Sequence, residues 1–131
     1  MIPALILKCV HAVERGADQI EVWGDGSATR EFLYVEDAAD AILLASERYN
    51  SSDPVNVGSG EEISIKELVG KIAATVGFNG RIVWDTSRPN GQPRRKLDTS
   101  RAAERFGFRA RTGFDEGLRR TVDAYLQNTS Q

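Results

Sequence analysis

The chain has 131 residues, of which 40% are hydrophobic and 27% are charged, and this balance is typical of one globular domain. The formal net charge of −2 disfavours nucleic acid and membranes as partners, and no apolar stretch is long enough to predict a membrane-spanning helix. Because Cys9 is the only cysteine, no intrachain disulfide can form, which favours a reducing, cytoplasmic compartment.

The spacing of apolar residues predicts an α/β chain in which helices and strands are mixed. In chain order, the predicted elements are a helix over Ile2–Glu14, strands over Ile20–Trp23 and Thr29–Val35, a helix over Glu36–Arg48, a strand over Val55–Val57, a helix capped by Ser64 and closed by Gly77, a strand over Arg81–Trp84, a short helix ending near Phe106, and a helix over Phe114–Gln127. Two prolines and a glycine exclude regular structure from Ser87–Lys96. The tail Asn128–Gln131 is predicted to fray.

The stretch W-G-D-G-S-A-T-R-E-F-L-Y-V-E-D, residues 23–37, contains the first candidate binding residues. Gly24 and Gly26 predict a tight turn that places Trp23 and Arg30 on either side of it. An indole face can stack on a flat base, and a guanidinium can bind a phosphate. A core tryptophan and a solvated arginine are the alternative, which the local pattern leaves open.

A basic segment supplies the second candidates. Arg94, Arg95 and Lys96 follow a proline, so the backbone is restricted while the cations project, and a diphosphate is bound by donors of this kind. A solvated basic run is the alternative. By contrast, the turn Gly58-Ser59-Gly60 fails the dinucleotide-binding pattern, because Ile63 stands at the third glycine position.

Five segments occur in the order that one known family shows. They are I-P-A-L-I at 2–6, the run at 23–37, N-V-G-S-G at 56–60, G-R-I-V-W-D-T-S at 80–87 and G-Q-P-R-R-K-L-D at 91–98. Together they resemble the C-terminal portion of the GDP-L-fucose synthase family. Its members are NADPH-dependent enzymes that epimerise and reduce GDP-4-keto-6-deoxy-mannose, within the extended short-chain dehydrogenase/reductases and the NAD-dependent epimerase/dehydratase family.

The resemblance implies that residues 1–131 form a small substrate-binding domain without the N-terminal Rossmann domain. By position, Trp23 and Arg30 match substrate-binding residues of the family. Lys8 stands where the family usually has arginine, Arg95 where it often has lysine, and Asn90 where aspartate is common. With Arg81, which opens a strand, the predicted substrate-binding set is Trp23, Arg30, Arg95, Lys8, Asn90 and Arg81.

The catalytic groups of the family are missing from the sequence. The three tyrosines, Tyr34, Tyr49 and Tyr125, are not followed by the lysine of a Tyr-x-x-x-Lys pair, and the dinucleotide loop is absent. The chain opens directly on an apolar helix without a preceding strand, which favours a fragment. The resemblance therefore implies that NADP is bound mainly by an absent Rossmann domain, and that this chain alone holds no cofactor or metal and is inactive.

The expected function is the substrate-binding portion of an NADP-dependent GDP-4-keto-6-deoxy-mannose epimerase/reductase, which binds a GDP-sugar weakly when alone. One alternative is the substrate domain of a UDP- or dTDP-sugar epimerase or dehydratase. Another is a non-catalytic scaffold or interaction domain. Apolar surface left by a missing domain also predicts self-association.

Overall fold

Two small sheets and five helices form the fold of residues 1–129, which are the part of the chain that this computed structural model describes. The helices are α1 (Ile2–Glu14), α2 (Val35–Arg48), α3 (Ile65–Val76), α4 (Ser100–Phe106) and α5 (Phe114–Thr129). The strands are β1 (Gln19–Trp23), β2 (Thr29–Glu31), β3 (Glu62–Ser64), β4 (Arg81–Asp85) and β5 (Arg94–Arg95). The predicted α/β class is confirmed.

The two sheets fix the positions of the candidate site residues. In the first sheet, β1 and β4 run parallel, so that Gln19 lies beside Arg81 and Trp23 lies beside Asp85. In the second sheet, β2 is central: it pairs antiparallel with β3 and parallel with β5. The second register places Arg30 directly beside Arg95.

The main core lies between α1, α3 and α5. Apolar residues recur every three or four positions on each helix, which gives each helix one buried stripe. The largest fully buried side chains of this core are Ile6, Cys9, Leu68, Val69, Ile72 and Val122. Burial raises the pKa of the Cys9 thiol, as expected for a small core residue.

The ends of α3 agree with the sequence-based prediction. The side chain of Ser64 accepts a hydrogen bond from the amide of Glu67 at 3.1 Å, which caps the first turn. Gly77 ends the helix at φ 83°, a left-handed conformation that glycine adopts without steric cost.

A second, smaller core packs one side of α2 against α4. Its buried members are Ala41, Ala102, Phe106 and Phe108, and the rings of Tyr49 and Phe106 meet edge to face with centroids 5.7 Å apart. The opposite side of α2 stays open: Val35 and Ile42 are each 70% exposed and Leu43 is 60% exposed. Periodicity places Ala41 and Ile42 in one apolar stripe of α2, of which the structure buries Ala41 and leaves Ile42 exposed.

Several strand predictions need correction. Val55–Val57 is not a strand, because no described segment pairs with it; Val55 and Val57 instead pack against the second core. The strand predicted over Thr29–Val35 ends at Glu31, after which the chain turns into α2. β3 was not predicted, and the two-residue β5 lies inside the segment from which regular structure was excluded.

The C-terminal prediction is wrong in part. Asn128 belongs to α5 rather than to a frayed tail. Ser130 and Gln131 lie outside the described residues.

Candidate functional site

Four of the six predicted substrate-binding residues line one cleft of about 310 Å³. The cleft lies between α1, the end of β1, the start of β2 and the loop that follows β4. The residues concerned are Lys8, Trp23, Arg30 and Asn90. The fold thus brings together side chains that are up to 82 positions apart in the sequence, between Lys8 and Asn90.

Trp23 presents its indole at the mouth of this cleft. It is the last residue of β1 and 62% of it is exposed, which rules out the alternative of a core tryptophan. The guanidinium carbon of Arg88 lies 5.0 Å from the centre of its ring. Gly24 and Gly26 follow with φ of 86° and 77°, so the chain turns sharply away from the end of β1 that carries the indole.

Arg30 and Arg95 form a pair of neighbouring cations at the junction of β2 and β5. Arg30 Nη1 donates hydrogen bonds to the carbonyl oxygens of Thr29, at 2.6 Å, and of Gln92, at 2.7 Å. Arg95 donates from Nε and Nη2 to Oε1 of Gln92, at 3.3 and 3.1 Å. Both guanidiniums are therefore oriented by oxygens that carry no formal charge.

Arg94 is held quite differently. It donates from Nε and Nη2 to both carboxylate oxygens of Glu62, at 2.8 and 2.7 Å, and Thr29 Oγ1 donates to the same carboxylate at 2.7 Å. These hydrogen bonds, above all those from Arg94, lower the pKa of Glu62 to about 2. Because Nε and Nη2 of Arg94 already bind Glu62, Arg95 is the better candidate to bind an anion.

Lys8 and Asn90 border the cleft through contacts with the backbone. Lys8 Nζ donates to the carbonyl oxygen of Glu21 at 2.7 Å, which draws α1 toward β1. Asn90 Oδ1 accepts the amide of Asp25 at 2.8 Å and lies against Gly24, where a Cβ would overlap it. The glycine turn and the loop after β4 therefore form one interlocked edge of the cleft.

Arg81 is not part of this group. It opens β4 beside Gln19, whose Oε1 accepts Arg81 Nη2 at 2.9 Å. Trp23 lies four residues farther along the strand pair, about 13 Å away at the usual rise per residue. The structure brings Arg81 to the opposite end of the first sheet.

A larger cleft of about 610 Å³ lies elsewhere and contains none of the six predicted residues. Its walls are mainly apolar and aromatic, with Ile2, Phe32, Phe114 and Leu118 among them, and the Lys71–Asp115 ion pair of 2.6 Å at its rim. The sequence gives no signal for it, because its residues come from five separate segments without a shared motif.

The turn Gly58-Ser59-Gly60 does not fit a dinucleotide. The Glu31 carboxylate already accepts the amide of Gly60 at 3.1 Å, and a Cβ on Gly58 would overlap it. A pyrophosphate would have to approach the same amides against that negative charge.

Within residues 1–129 there is also no group of three or more histidine, cysteine or acidic side chains suited to a metal ion. No helix in the same range is long and apolar enough to cross a membrane.

The chain is similar to known proteins. Residues 1–58 match the NAD dependent epimerase/dehydratase family. A putative GDP-L-fucose synthase 2 of Arabidopsis thaliana is 42% identical over 131 residues, which are 100% of this chain and 40% of that protein. A GDP-L-fucose synthetase of Naegleria fowleri, crystallised with NADP, matches with a TM-score of 0.90 at 30% identity, over 99% of this chain and 41% of that one.

A UDP-glucose 4-epimerase of Thermotoga maritima, solved with UDP-glucose, matches with a TM-score of 0.81 at 26% identity, over 97% of this chain and 40% of that one. The chain thus spans about two fifths of the length of the relatives that it matches. The resemblance predicted from the sequence motifs is confirmed, and the fold is consistent with the C-terminal part of an extended short-chain dehydrogenase/reductase.

Proposed function

Because this chain is homologous over its full length to part of the GDP-L-fucose synthases, we propose that it is the substrate-binding portion of an NADP-dependent GDP-4-keto-6-deoxy-mannose epimerase/reductase. Its ligand in this proposal is a GDP-sugar. One observation carries the assignment: the exposed indole of Trp23 lines the same cleft as Arg30, whose guanidinium pairs with no carboxylate of residues 1–129.

Two parts of a sugar nucleotide, the base and the diphosphate, find matching groups at this cleft. The purine stacks on the indole of Trp23, an interaction worth about 1–3 kcal/mol. The diphosphate lies against Arg30, with Arg95 beside it and Lys8 on the opposite wall. The cleft is open to water on this chain, so screening weakens these contacts, and we expect a dissociation constant of roughly millimolar for GDP.

The redox chemistry belongs to another part of the parent enzyme. The hydride is supplied by NADP, which in this proposal is bound by an N-terminal Rossmann domain. The residues of this chain bind and orient the GDP-sugar only, since the sequence has no Tyr-x-x-x-Lys pair and the glycine turn is closed by Glu31. The chain alone should therefore not oxidise NADPH above the blank rate when it is given the keto-sugar nucleotide.

The open side of α2 is the surface that we propose for that partner domain. Val35, Ile42 and Leu43 are exposed on this side of the helix, whereas Val55 and Val57 are half-buried against the second core on its other side. An exposed apolar helix face gains free energy when a second domain covers it. In the chain alone, the same surface promotes self-association.

A UDP- or dTDP-sugar domain is the competing function in the same class. It is favoured by the match to the UDP-glucose 4-epimerase, although the identity there is 26% compared with 42% for the putative fucose synthase. A scaffold without a ligand is the competing function outside that class. It predicts that no nucleotide binds and that Trp23 is dispensable.

The test is an NMR titration of the 15N-labelled chain with GDP, UDP and dTDP. The chain has two tryptophans, and the indole N–H signal of Trp23 is identified by its loss in Trp23→Ala. We expect GDP to shift the Trp23 signal at lower concentration than UDP or dTDP. Trp23→Ala and Arg30→Ala should each weaken GDP binding at least fivefold. This is about the smallest effect expected when one stacking or phosphate contact is lost.

Arg81→Ala is the matched control, because it removes an arginine at the far end of the same strand pair. It should leave the GDP affinity unchanged. Equal affinity for the three nucleotides would favour the wider family over the GDP assignment. Absence of any shift, or an Arg81→Ala effect as large as that of Arg30→Ala, would overturn the assignment of this cleft.

A further inference from the structure

The two candidate phosphate-binding arginines converge on one residue, Gln92. Its backbone carbonyl oxygen accepts Arg30 Nη1 at 2.7 Å, and its side-chain oxygen accepts Arg95 Nε and Nη2 at 3.3 and 3.1 Å. No other described residue contacts both guanidiniums through hydrogen bonds. Gln92 was not among the residues predicted from the sequence.

Two neighbouring arginines repel each other and destabilise the sheet unless an anion lies between them. Arg30 and Arg95 are direct neighbours in the register of β2 and β5, so their side chains leave the same face of the sheet. Like charges placed directly opposite each other destabilise a sheet. Among residues 1–129 neither of them forms an ion pair, whereas the adjacent Arg94 is neutralised by Glu62 at 2.7 Å.

An amide oxygen orients a guanidinium without cancelling its charge. A carboxylate in the same position would fill the fork of Arg95 and repel a phosphate. The backbone around Gln92 is also constrained: Gly91 has a φ of 73°, and Pro93 restricts the residue before it to extended conformations. The carbonyl oxygen of Pro93 in turn accepts the amide of Thr29 at 2.8 Å, which fixes this loop to β2.

We propose that Gln92 is a positioning residue that holds Arg30 and Arg95 side by side, still fully charged, as a receptor for the diphosphate of the nucleotide. The inference rests on the proposed function and names the residue that prepares its phosphate subsite. Gln92 acts through the two arginines and does not itself contact the ligand. Its side-chain oxygen orients Arg95, and its backbone carbonyl oxygen orients Arg30.

Inorganic pyrophosphate is the direct probe, because it carries the diphosphate without the base or the sugar. The 15N-labelled chain is titrated with pyrophosphate and separately with GDP. The Nε–H signals of Arg30 and Arg95, each identified by its loss in the corresponding alanine variant, report the contact, and the Arg30 signal measures the affinity where Arg95 is replaced. Gln92→Ala frees the Arg95 side chain, and we expect pyrophosphate to bind about three- to tenfold more weakly, the usual effect of one rotamer-rich side chain that must be immobilised on binding. Gln92→Glu has nearly the same shape but neutralises Arg95, so it should bind more weakly than Gln92→Ala.

A double-mutant cycle distinguishes positioning from a general structural effect. In the Arg95→Ala background, Gln92→Ala should have no further effect on pyrophosphate affinity, since the residue through which it acts is gone. Gln19→Ala is the matched control: it removes the same kind of amide–guanidinium contact, with Arg81 at 2.9 Å, and should leave the affinity unchanged.

The outcomes separate this inference from the proposed function. A Gln92→Ala effect of equal size with and without Arg95, or a Gln92→Glu affinity equal to that of the unaltered chain, overturns the positioning role and leaves the GDP-sugar site intact. If Gln92→Ala weakens pyrophosphate binding but GDP binds no more tightly than pyrophosphate, the positioning role is retained and the nucleotide assignment is overturned. Absence of binding by both probes overturns both.

Discussion

Asp37 is the one buried charged residue within residues 1–129, and its removal tests how α2 is attached to the rest of the domain. It is 5% exposed and lies in the first turn of α2. Its Oδ2 accepts the backbone amide of Thr112 at 3.0 Å, in the segment that leads into α5. The carboxylate therefore joins α2 to a residue 75 positions away in the sequence, just before α5 begins. We expect Asp37→Ala to destabilise the chain and to leave the cleft at Trp23 unaffected.

The magnitude follows from the one hydrogen bond that is lost. A hydrogen bond to a charged group contributes about 1.5–3 kcal/mol, and its loss leaves the Thr112 amide without its acceptor. The carboxylate also lies near the positive end of the helix dipole, which adds a few tenths of a kcal/mol. We therefore expect Asp37→Ala to lower the free energy of unfolding by about 2–3 kcal/mol. Asp37→Asn keeps an acceptor but not the charge, and should recover part of the loss.

Urea unfolding followed by circular dichroism measures the effect, with the slope of the transition checked for two-state behaviour. Asp40→Ala is the matched control, because Asp40 lies one turn along the same helix, its side chain is 52% exposed and its nearest cation, Arg111, is 3.9 Å away. It should change the stability by less than about 0.5 kcal/mol. If Asp37→Ala costs no more than Asp40→Ala, the buried carboxylate does not join α2 to Thr112 as described.

Two further predictions concern the second sheet and the open helix face. The pKa of Glu62 is lowered from 4.5 to about 2, mainly by Arg94, so the stability that this contact contributes is fully present above pH 4.5 and is lost as the pH falls toward 2. Glu62→Gln should flatten the dependence of stability on pH in that range only. An unchanged dependence would contradict the reasoning. Replacement of Ile42 and Leu43 by serine should reduce self-association in sedimentation velocity without loss of stability, because these side chains are 70% and 60% exposed; association that persists unchanged would place the contact elsewhere.

The elements that were predicted well are those whose signals are local. α1 has the predicted bounds, and α3 begins and ends at the residues whose side chain and backbone cap it, Ser64 and Gly77. Periodicity groups Ala41 and Ile42 in one apolar stripe of α2 but does not say what covers each side chain, and the structure buries the first and exposes the second. Val55–Val57 has strand composition, but a strand requires a neighbour, and no part of the described chain supplies one.

The choice among the three cations of the basic segment shows what sequence can and cannot give for the site. Composition predicts a diphosphate ligand for Arg94-Arg95-Lys96 as a group, and by pattern alone Arg94 is as good a candidate as Arg95. The distinction arises from the two-residue strand β5, which pairs Arg94 with Thr29 and Arg95 with Arg30. Because neighbours along a strand point to opposite faces, one arginine meets the carboxylate of Glu62 and the other is left beside a second cation. A strand this short leaves no periodic signal, so the arginine that lies beside a second cation becomes visible only in the register of the folded sheet.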